Sequence, residues 1–349
     1  PTFLSPEQLE RLIKFIFQRF QLAESPEISV EVDPRVTSEA HLETFKSLGF
    51  NRISLGVQDF DLKVQKAVNR IQPFALVQKM LKKCHDLGFA VNFDLIYGLP
   101  YQSIASMKDT LKKVIELSPD RVAFYRLAMI PHMFKWQKSF QRCDLPEEEE
   151  MLALNLLALK TFTENGYHFI GLDHFAKEKD SLNIALKNKT LRRNFQGMTT
   201  FRDLEILGLG PTAISQLKSS YLQKTKDDKT WREKINTPKG SYERFYAFTE
   251  DDRLRKKLIE DLYCYGSIDK DAIQREFKIT FNDYFKEALK PLAKLQEDGI
   301  LSETEQKITL SPTLGRILVR AVAAVFDKFL MESHLKEQEG KKPLFSKVG

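Results

Sequence analysis

The sequence predicts an α/β fold in which a partial barrel of parallel strands precedes a mostly helical domain. Between residues 28 and 127, short apolar strands alternate with amphipathic helices, the order that builds right-handed βαβ units. The tripeptide Leu-Gly-Phe recurs at residues 48–50 and 87–89, each time where a helix should turn into a strand. The strands at 28–32 and 90–96 run into acidic or polar residues followed by proline, and such strand ends gather on one rim of a parallel barrel.

Each element follows from its own residues. Residues 5–20 open with an N-cap Ser5 and Pro6, and Leu9, Leu12, Ile13, Ile16 and Phe17 recur at helical spacing. After the strand 28–32, a second amphipathic helix over 37–48 is stopped by Gly49. The strand 52–57 runs into Gln58, Asp59 and Phe60, and a helix over 74–87 stops at Gly88 before the strand 90–96. A helix over 106–117, a strand over 121–127 and a long helix over 147–165 lead into residues 168–175. Segments 194–200 and 207–215, rich in Gly, Thr and Ser, read as turns or as loops that bring backbone close to a ligand. The lysine-rich stretch 218–240 reads as a linker, dividing a unit 1–217 from a unit 241–349. Helices over 251–265, 270–277, 282–298 and 313–330, with a hairpin over 300–310, give the second unit a winged-helix-like order. The polar tail after residue 334 reads as loose.

At 349 residues, 42% of them hydrophobic, the chain can bury a large core and has room for more than one domain. A net charge of +6 and a pI near 9.0 favour an anionic partner, be it a polycarboxylate, a phosphate-bearing ligand or nucleic acid. No apolar run approaches the ~20 residues that span a bilayer. Cys84, Cys143 and Cys264 lie too far apart for a local metal-ligand motif and read as small buried hydrophobes. Without a disulfide framework they fit a reducing cytoplasm.

Several polar residues carry two readings. Asp94 interrupts an apolar strand, and a buried carboxylate needs a partner: a ligand hydroxyl, a ligand ammonium or an arginine. Glu31 and Asp33 flank Val32, and one is expected to face the rim interior while the other turns away. Gln58 can bond a ligand or satisfy loop backbone, and Arg70 and Arg126 can grip carboxylates or form surface pairs. His174 beside Asp173 reads as an acid–base pair or as a structural histidine.

Taken together, EVDP at 31–34, GFNRISLGVQDF at 49–60, VNR at 68–70 and DLIYGLP at 94–100 resemble the radical S-adenosylmethionine (SAM) enzymes. DHFA at 173–176, NFQGMTT at 194–200, and LGLG followed by AIS within 207–215 narrow the resemblance to the oxygen-independent coproporphyrinogen III oxidases (dehydrogenases). The resemblance implies a partial TIM-like (β/α)6 radical SAM barrel with a helical, winged-helix-like C-terminal domain. It implies oxidative decarboxylation of two propionates of coproporphyrinogen III to the vinyl groups of protoporphyrinogen IX, driven by a SAM-derived radical formed at a 4Fe–4S cluster. A tetrapyrrole substrate, a reductant protein and a monomeric state go with that reading. It also places Glu31 on a first SAM with Ile214 against it, and Gln58, Arg70, Asp94 and Ala128 at a second SAM. Gln196 matches a substrate- or radical-positioning contact. On charge and neighbourhood alone, Lys177, Arg192 and Arg193 are candidates to neutralise propionates.

The sequence departs from the family pattern in two ways. The family holds its cluster with a CxxxCxxC run upstream of a GGGTP segment, and Pro1-Thr2 matches only that segment's tail. The expectation is therefore an N-terminally truncated barrel with no metal ligands in this chain, hence no cluster and no radical activity for the chain as it stands. Met198 stands where the pattern has tyrosine. Two rival readings differ in kind. A haem-chaperone relative of the same superfamily would lack the DHFA and NFQG patterns. A winged-helix nucleic-acid-binding protein would concentrate basic charge on residues 282–298, where four acidic residues stand instead (Asp283, Glu287, Glu297 and Asp298).

Overall fold

A computed structural model describes residues 1–131, 137–138, 140, 144–202 and 204–330. The chain divides into two compact units, Pro1–Asn183 and Ile184–Gly349. The first contains α1 (Pro6–Phe17), β1 (Ser29–Val32), α2 (Glu39–Ser47), β2 (Arg52–Gln58), α3 (Leu62–Ala67) and α4 (Phe74–Asp86). It continues with β3 (Ala90–Tyr97), α5 (Ile104–Leu117), β4 (Arg121–Arg126), α6 (Glu148–Glu164), β5 (Tyr167–Gly171) and β6 (His174–Lys177). The strands form one sheet in the order β1-β2-β3-β4-β6-β5. Strands β1 to β4 are parallel, as the alternation of elements predicts, while β6 runs antiparallel to both β4 and β5. Residues 168–175, for which the sequence alone assigns no element, thus belong to a hairpin. Leu172, with φ 51°, takes the left-handed conformation that reverses the chain there.

The sheet has two unlike faces. Ile53, Leu55, Val91, Phe93, Leu95, Val122 and Phe124 are buried in one core with Leu42, Phe45, Val77, Leu111, Val114 and Phe162 of the helices. The alternate residues Glu31, Ser54, Asn92 and Arg121 stand side by side in register on the other face, with Gly56, Asp94 and Ala123 in the next row. At the starting ends of the strands, charge on that face is neutralised locally. Arg121 Nε reaches both carboxylate oxygens of Asp180 at 2.7 Å, and Arg52 lies 3.3 Å from Asp180 and from Glu27.

The repeated Leu-Gly-Phe sites are the same turn twice. After α2, Gly49 N donates to Lys46 O at 3.0 Å and Phe50 N to Phe45 O at 3.0 Å. After α4, Gly88 N donates to His85 O at 2.8 Å and Phe89 N to Cys84 O at 3.0 Å. This is the glycine-terminated C-cap, and the Phe45–Phe50 ring contact at 5.1 Å supplies its usual apolar clasp.

The second unit opens within α7 (Ser181–Lys187) and carries β7 (Arg192–Asn194), β8 (Gly197–Thr199), β9 (Ile214–Gln216), β10 (Ser220–Lys224), α8 (Asp228–Lys234) and β11 (Tyr242–Ala247). Strands β7 and β8 pair as a hairpin, and β11, β10 and β9 form an antiparallel sheet. Residues 218–240, expected as a linker, therefore contribute a central strand and a helix. Both are short, and the lysines around them mask the alternation of the strand and the Asp227 cap of the helix, whose carboxylate accepts from Thr230 N at 2.7 Å.

Next come α9 (Glu250–Tyr265), β12 (Ser267–Asp269), α10 (Lys270–Phe277), α11 (Phe281–Tyr284), α12 (Lys286–Glu297), β13 (Leu301–Glu303) and β14 (Lys307–Leu310). Their order and the sheet β12-β14-β13 give the expected winged-helix-like arrangement. The helix expected over 313–330 is instead two short ones, α13 (Leu314–Ile317) and α14 (Val319–Ala324). The tail after 334 lies outside the described residues. No helix among the described residues is long and apolar enough to cross a membrane.

Gly49 and Gly88 have φ of 86° and 73°, and an added Cβ at either would meet no atom closer than 3.5 Å. Alanine at either position should therefore carry only the conformational penalty, about 1 kcal/mol in a urea titration at unchanged m-value.

Candidate functional site

Because β1 to β4 are parallel, their C-terminal ends meet on one rim, and the polar residues singled out in the sequence gather there. Asp94 projects from β3 between neighbours fixed by strand register. Ser54 Oγ donates to Asp94 Oδ2 at 2.6 Å, and Asn92 Nδ2 donates to Asp94 Oδ1 at 3.0 Å and to Ser54 Oγ at 2.7 Å. Burial pushes the Asp94 carboxyl up to about 6; the Ser54 and Asn92 hydrogen bonds oppose the rise, and the charge of Glu31 adds to it.

Arg70 is held from two sides. Its Nη2 donates to Gly56 O at 2.8 Å, and its Nη1 lies 3.0 Å from Asp33 Oδ2. A Cβ on Gly56 would stand 3.0 Å from both Arg70 Nη2 and Gln58 Nε2, so a larger residue here would push those two side-chain ends aside. Burial works against the Asp33 carboxylate, yet the hydrogen bonds of Arg35 and the charge of Arg70 outweigh it and keep its pKa below the ordinary value. Glu31 and Asp33 do not diverge as expected. Asp33 pairs with Arg70 directly and the charge of Glu31 also acts on Arg70, since residues two apart on a strand share a face.

Three side chains on the rim present buried atoms without a hydrogen-bond partner: Gln58 Oε1, Arg70 Nε and Asn92 Oδ1. Gln58, at φ 68°, is the residue on which β2 ends. Glu31 is exposed and makes no hydrogen bond or ion pair with a described residue. Two carboxylates, an amide and a guanidinium around unsatisfied buried atoms fit a polar ligand bearing hydroxyls, an ammonium and a carboxylate, as SAM does.

Other candidates have structural employment. Ala128, just past β4, gives its carbonyl to Gln137 Nε2 at 2.8 Å. Arg126 grips Glu148 at 2.8 Å. Asp59, almost fully buried, accepts from Gln102 Nε2 at 2.6 Å and Thr110 Oγ1 at 2.7 Å and so ties the end of β2 to α5. His174 meets Tyr125 edge-on at 5.8 Å. Lys177 is not on the rim. Because β6 runs antiparallel, its end lies beside the start of β4, where Lys177 Nζ donates to Ser118 O at 2.7 Å.

In the second unit, Arg192 donates to Leu191 O at 3.0 Å and to the Tyr265 hydroxyl at 3.3 Å. Arg193 lies over the Tyr263 ring at 5.0 Å. Gln196 sits exposed at the tip of the β7–β8 hairpin, which Asn194 Oδ1 closes by accepting from Gln196 N and Gly197 N. Met198 is on β8 opposite Arg193, and Ile214 begins β9.

Among the described residues, no group of three His, Cys, Asp or Glu side chains is placed to hold a metal ion. Burial pushes the Cys84 and Cys264 thiols up to about 12, and Cys143 lies outside the described residues. The described side chains therefore do not fit an iron–sulfur cluster.

The Asp94 carboxyl has an ordinary value of 3.8. Between about pH 4 and 6 the folded chain keeps a proton that the unfolded chain has released, so ionising Asp94 costs stability as pH rises through that window. Asp94→Asn should stabilise the chain by about 1–3 kcal/mol at pH 8 and by nothing at pH 3.5, read from denaturant midpoints.

Comparison with known proteins gives this geometry a context. Residues 2–114 match the radical SAM superfamily model and residues 248–315 the HemN C-terminal domain model. The oxygen-independent coproporphyrinogen III oxidase of Synechocystis is 38% identical over all of this chain and 74% of its own length. That of Escherichia coli is 38% identical over 97% of this chain and 74% of its own length. A solved structure of the E. coli coproporphyrinogen III oxidase, described there as a radical SAM enzyme, superposes with a TM-score of 0.90 at 38% identity. It covers 94% of this chain and 76% of the solved one. The chain belongs to the oxygen-independent coproporphyrinogen III oxidase family of radical SAM proteins.

Proposed function

We propose that the protein oxidatively decarboxylates two propionate side chains of coproporphyrinogen III to vinyl groups, yielding protoporphyrinogen IX. The observation that carries this reading is identity of 38% across the whole chain to an oxidase of that name. A 4Fe–4S cluster, for which the described side chains offer no ligands, would together with SAM supply the radical chemistry. The chain's own part is to bind, orient and exclude water. Asp94 would take ribose hydroxyls, exchanging a costly buried charge for hydrogen bonds. Glu31 would take the ammonium of one SAM, with Ile214 as an apolar contact. Arg70 and Gln58 would use their unpartnered Nε and Oε1 on the polar end of a second SAM, beside the backbone of Ala128. Gln196 and Arg193 would position the substrate, the second by charge. A protein reductant and action as a monomer complete the proposal. Neither the haem-chaperone reading nor the nucleic-acid reading is favoured by the relatives.

Calorimetry with SAM should show binding to the chain that Asp94→Ala weakens about tenfold or more, as expected for loss of charge-assisted hydrogen bonds. The full coding-sequence product, loaded with iron and sulfide without oxygen, should release two molecules of carbon dioxide per coproporphyrinogen III. Absence of that release under reducing conditions with SAM would refute the assignment.

A further inference from the structure

We propose that the second unit holds a subsite for one pyrrole ring of the substrate and its carboxylate arm, with Arg244 and Gln223 as the carboxylate clamp. This rests on the substrate reading above. A cavity of about 670 Å³ is lined by Ile214, Tyr221, Gln223, Arg244 and Tyr246 of the β9–β10–β11 sheet and by Phe195 at the β7–β8 turn. That volume is in the range of small-molecule sites. Strand register sorts much of its lining into two rows: Tyr246 and Tyr221 are cross-strand neighbours, and Arg244, Gln223 and Ile214 form the adjacent row.

The aromatic row is rigid. The Tyr246 hydroxyl donates to Asp252 at 2.8 Å, and the Tyr221 ring packs edge-on against Phe248 at 4.8 Å. With Phe195, which also lines the cavity, these rings suit a flat, electron-rich ring. The polar row is free to bind. The Arg244 side chain makes no hydrogen bond or ion pair with a described residue, whereas that of Arg192 is already committed to Leu191 and Tyr265. A guanidinium beside an amide donor on a wall next to apolar rings matches a carboxylate carried on an aromatic ring. Glu243 also lines the cavity, and its charge disfavours a second carboxylate in the same place.

The probe is coproporphyrin III, the fluorescent oxidised analogue, titrated against its uncharged tetramethyl ester in dilute non-ionic detergent and read by anisotropy. Arg244→Gln should weaken coproporphyrin III binding about tenfold or more and leave the ester unchanged. Arg244→Lys should restore part of the loss, and Glu243→Gln should bind as tightly as the parent or tighter. In the full product, Arg244→Gln should raise KM more than it lowers kcat. Equal affinity of Arg244→Gln and parent for the acid would overturn the subsite while leaving the decarboxylase assignment intact. Failure of the parent to bind coproporphyrin III, together with no carbon dioxide release, would overturn both. Arg244 is exposed, so an unchanged circular dichroism spectrum is expected and separates clamp loss from misfolding.

Discussion

The first unit is governed by charge on a sheet face that its own helices leave uncovered. Apolar side chains fill the other face, so every second residue of β1 to β4 must be accommodated on the open one. The two ends of that face solve the problem differently. At the starting ends of the strands, two arginines and two carboxylates, Arg52, Arg121, Glu27 and Asp180, neutralise one another and close the floor. At the finishing ends the acids outnumber their partners. Asp94 has only the hydroxyl of Ser54 and the amide of Asn92, and the Glu31 carboxylate has no hydrogen bond or ion pair within the described chain, only the more distant charge of Arg70. An under-compensated polar end above a sealed floor has the charge and the unsatisfied atoms that the SAM proposal calls for.

Much of this was legible in the sequence, because helix stops and strand alternation are local. Gly49 and Gly88 each announce a turn whose bonds involve only residues within six positions. Asp94 was also visible, as a carboxylate in an apolar strand. Its partners were not, since Ser54 lies forty residues away and reaches it only through the register of two parallel strands. Arg70 finds Asp33 for the same non-local reason. Gly171 and Asp173 on either side of Leu172 are turn formers, but nothing local shows that the strand after them pairs antiparallel with β4, and that pairing is what takes Lys177 away from the rim. In the second unit, the composition of 218–240 concealed elements whose stability comes from pairing on both sides of β10.

The two units differ in what they offer. The parallel sheet carries Asp94 and Glu31 on rigid strand ends, where a small displacement of a bound group would matter most. The second unit offers what strand ends lack: flat aromatic walls and an uncommitted guanidinium on a small antiparallel sheet.

The deep burial of Cys84 and Cys264 has a practical side. Thiols held near a pKa of about 12 stay protonated at any pH at which the protein would be handled, so neither offers the thiolate that binds iron or attacks an alkylating reagent. Iron counted after loading would then be free of a background from these two positions, and maleimide labels could be attached elsewhere on the surface without first removing them.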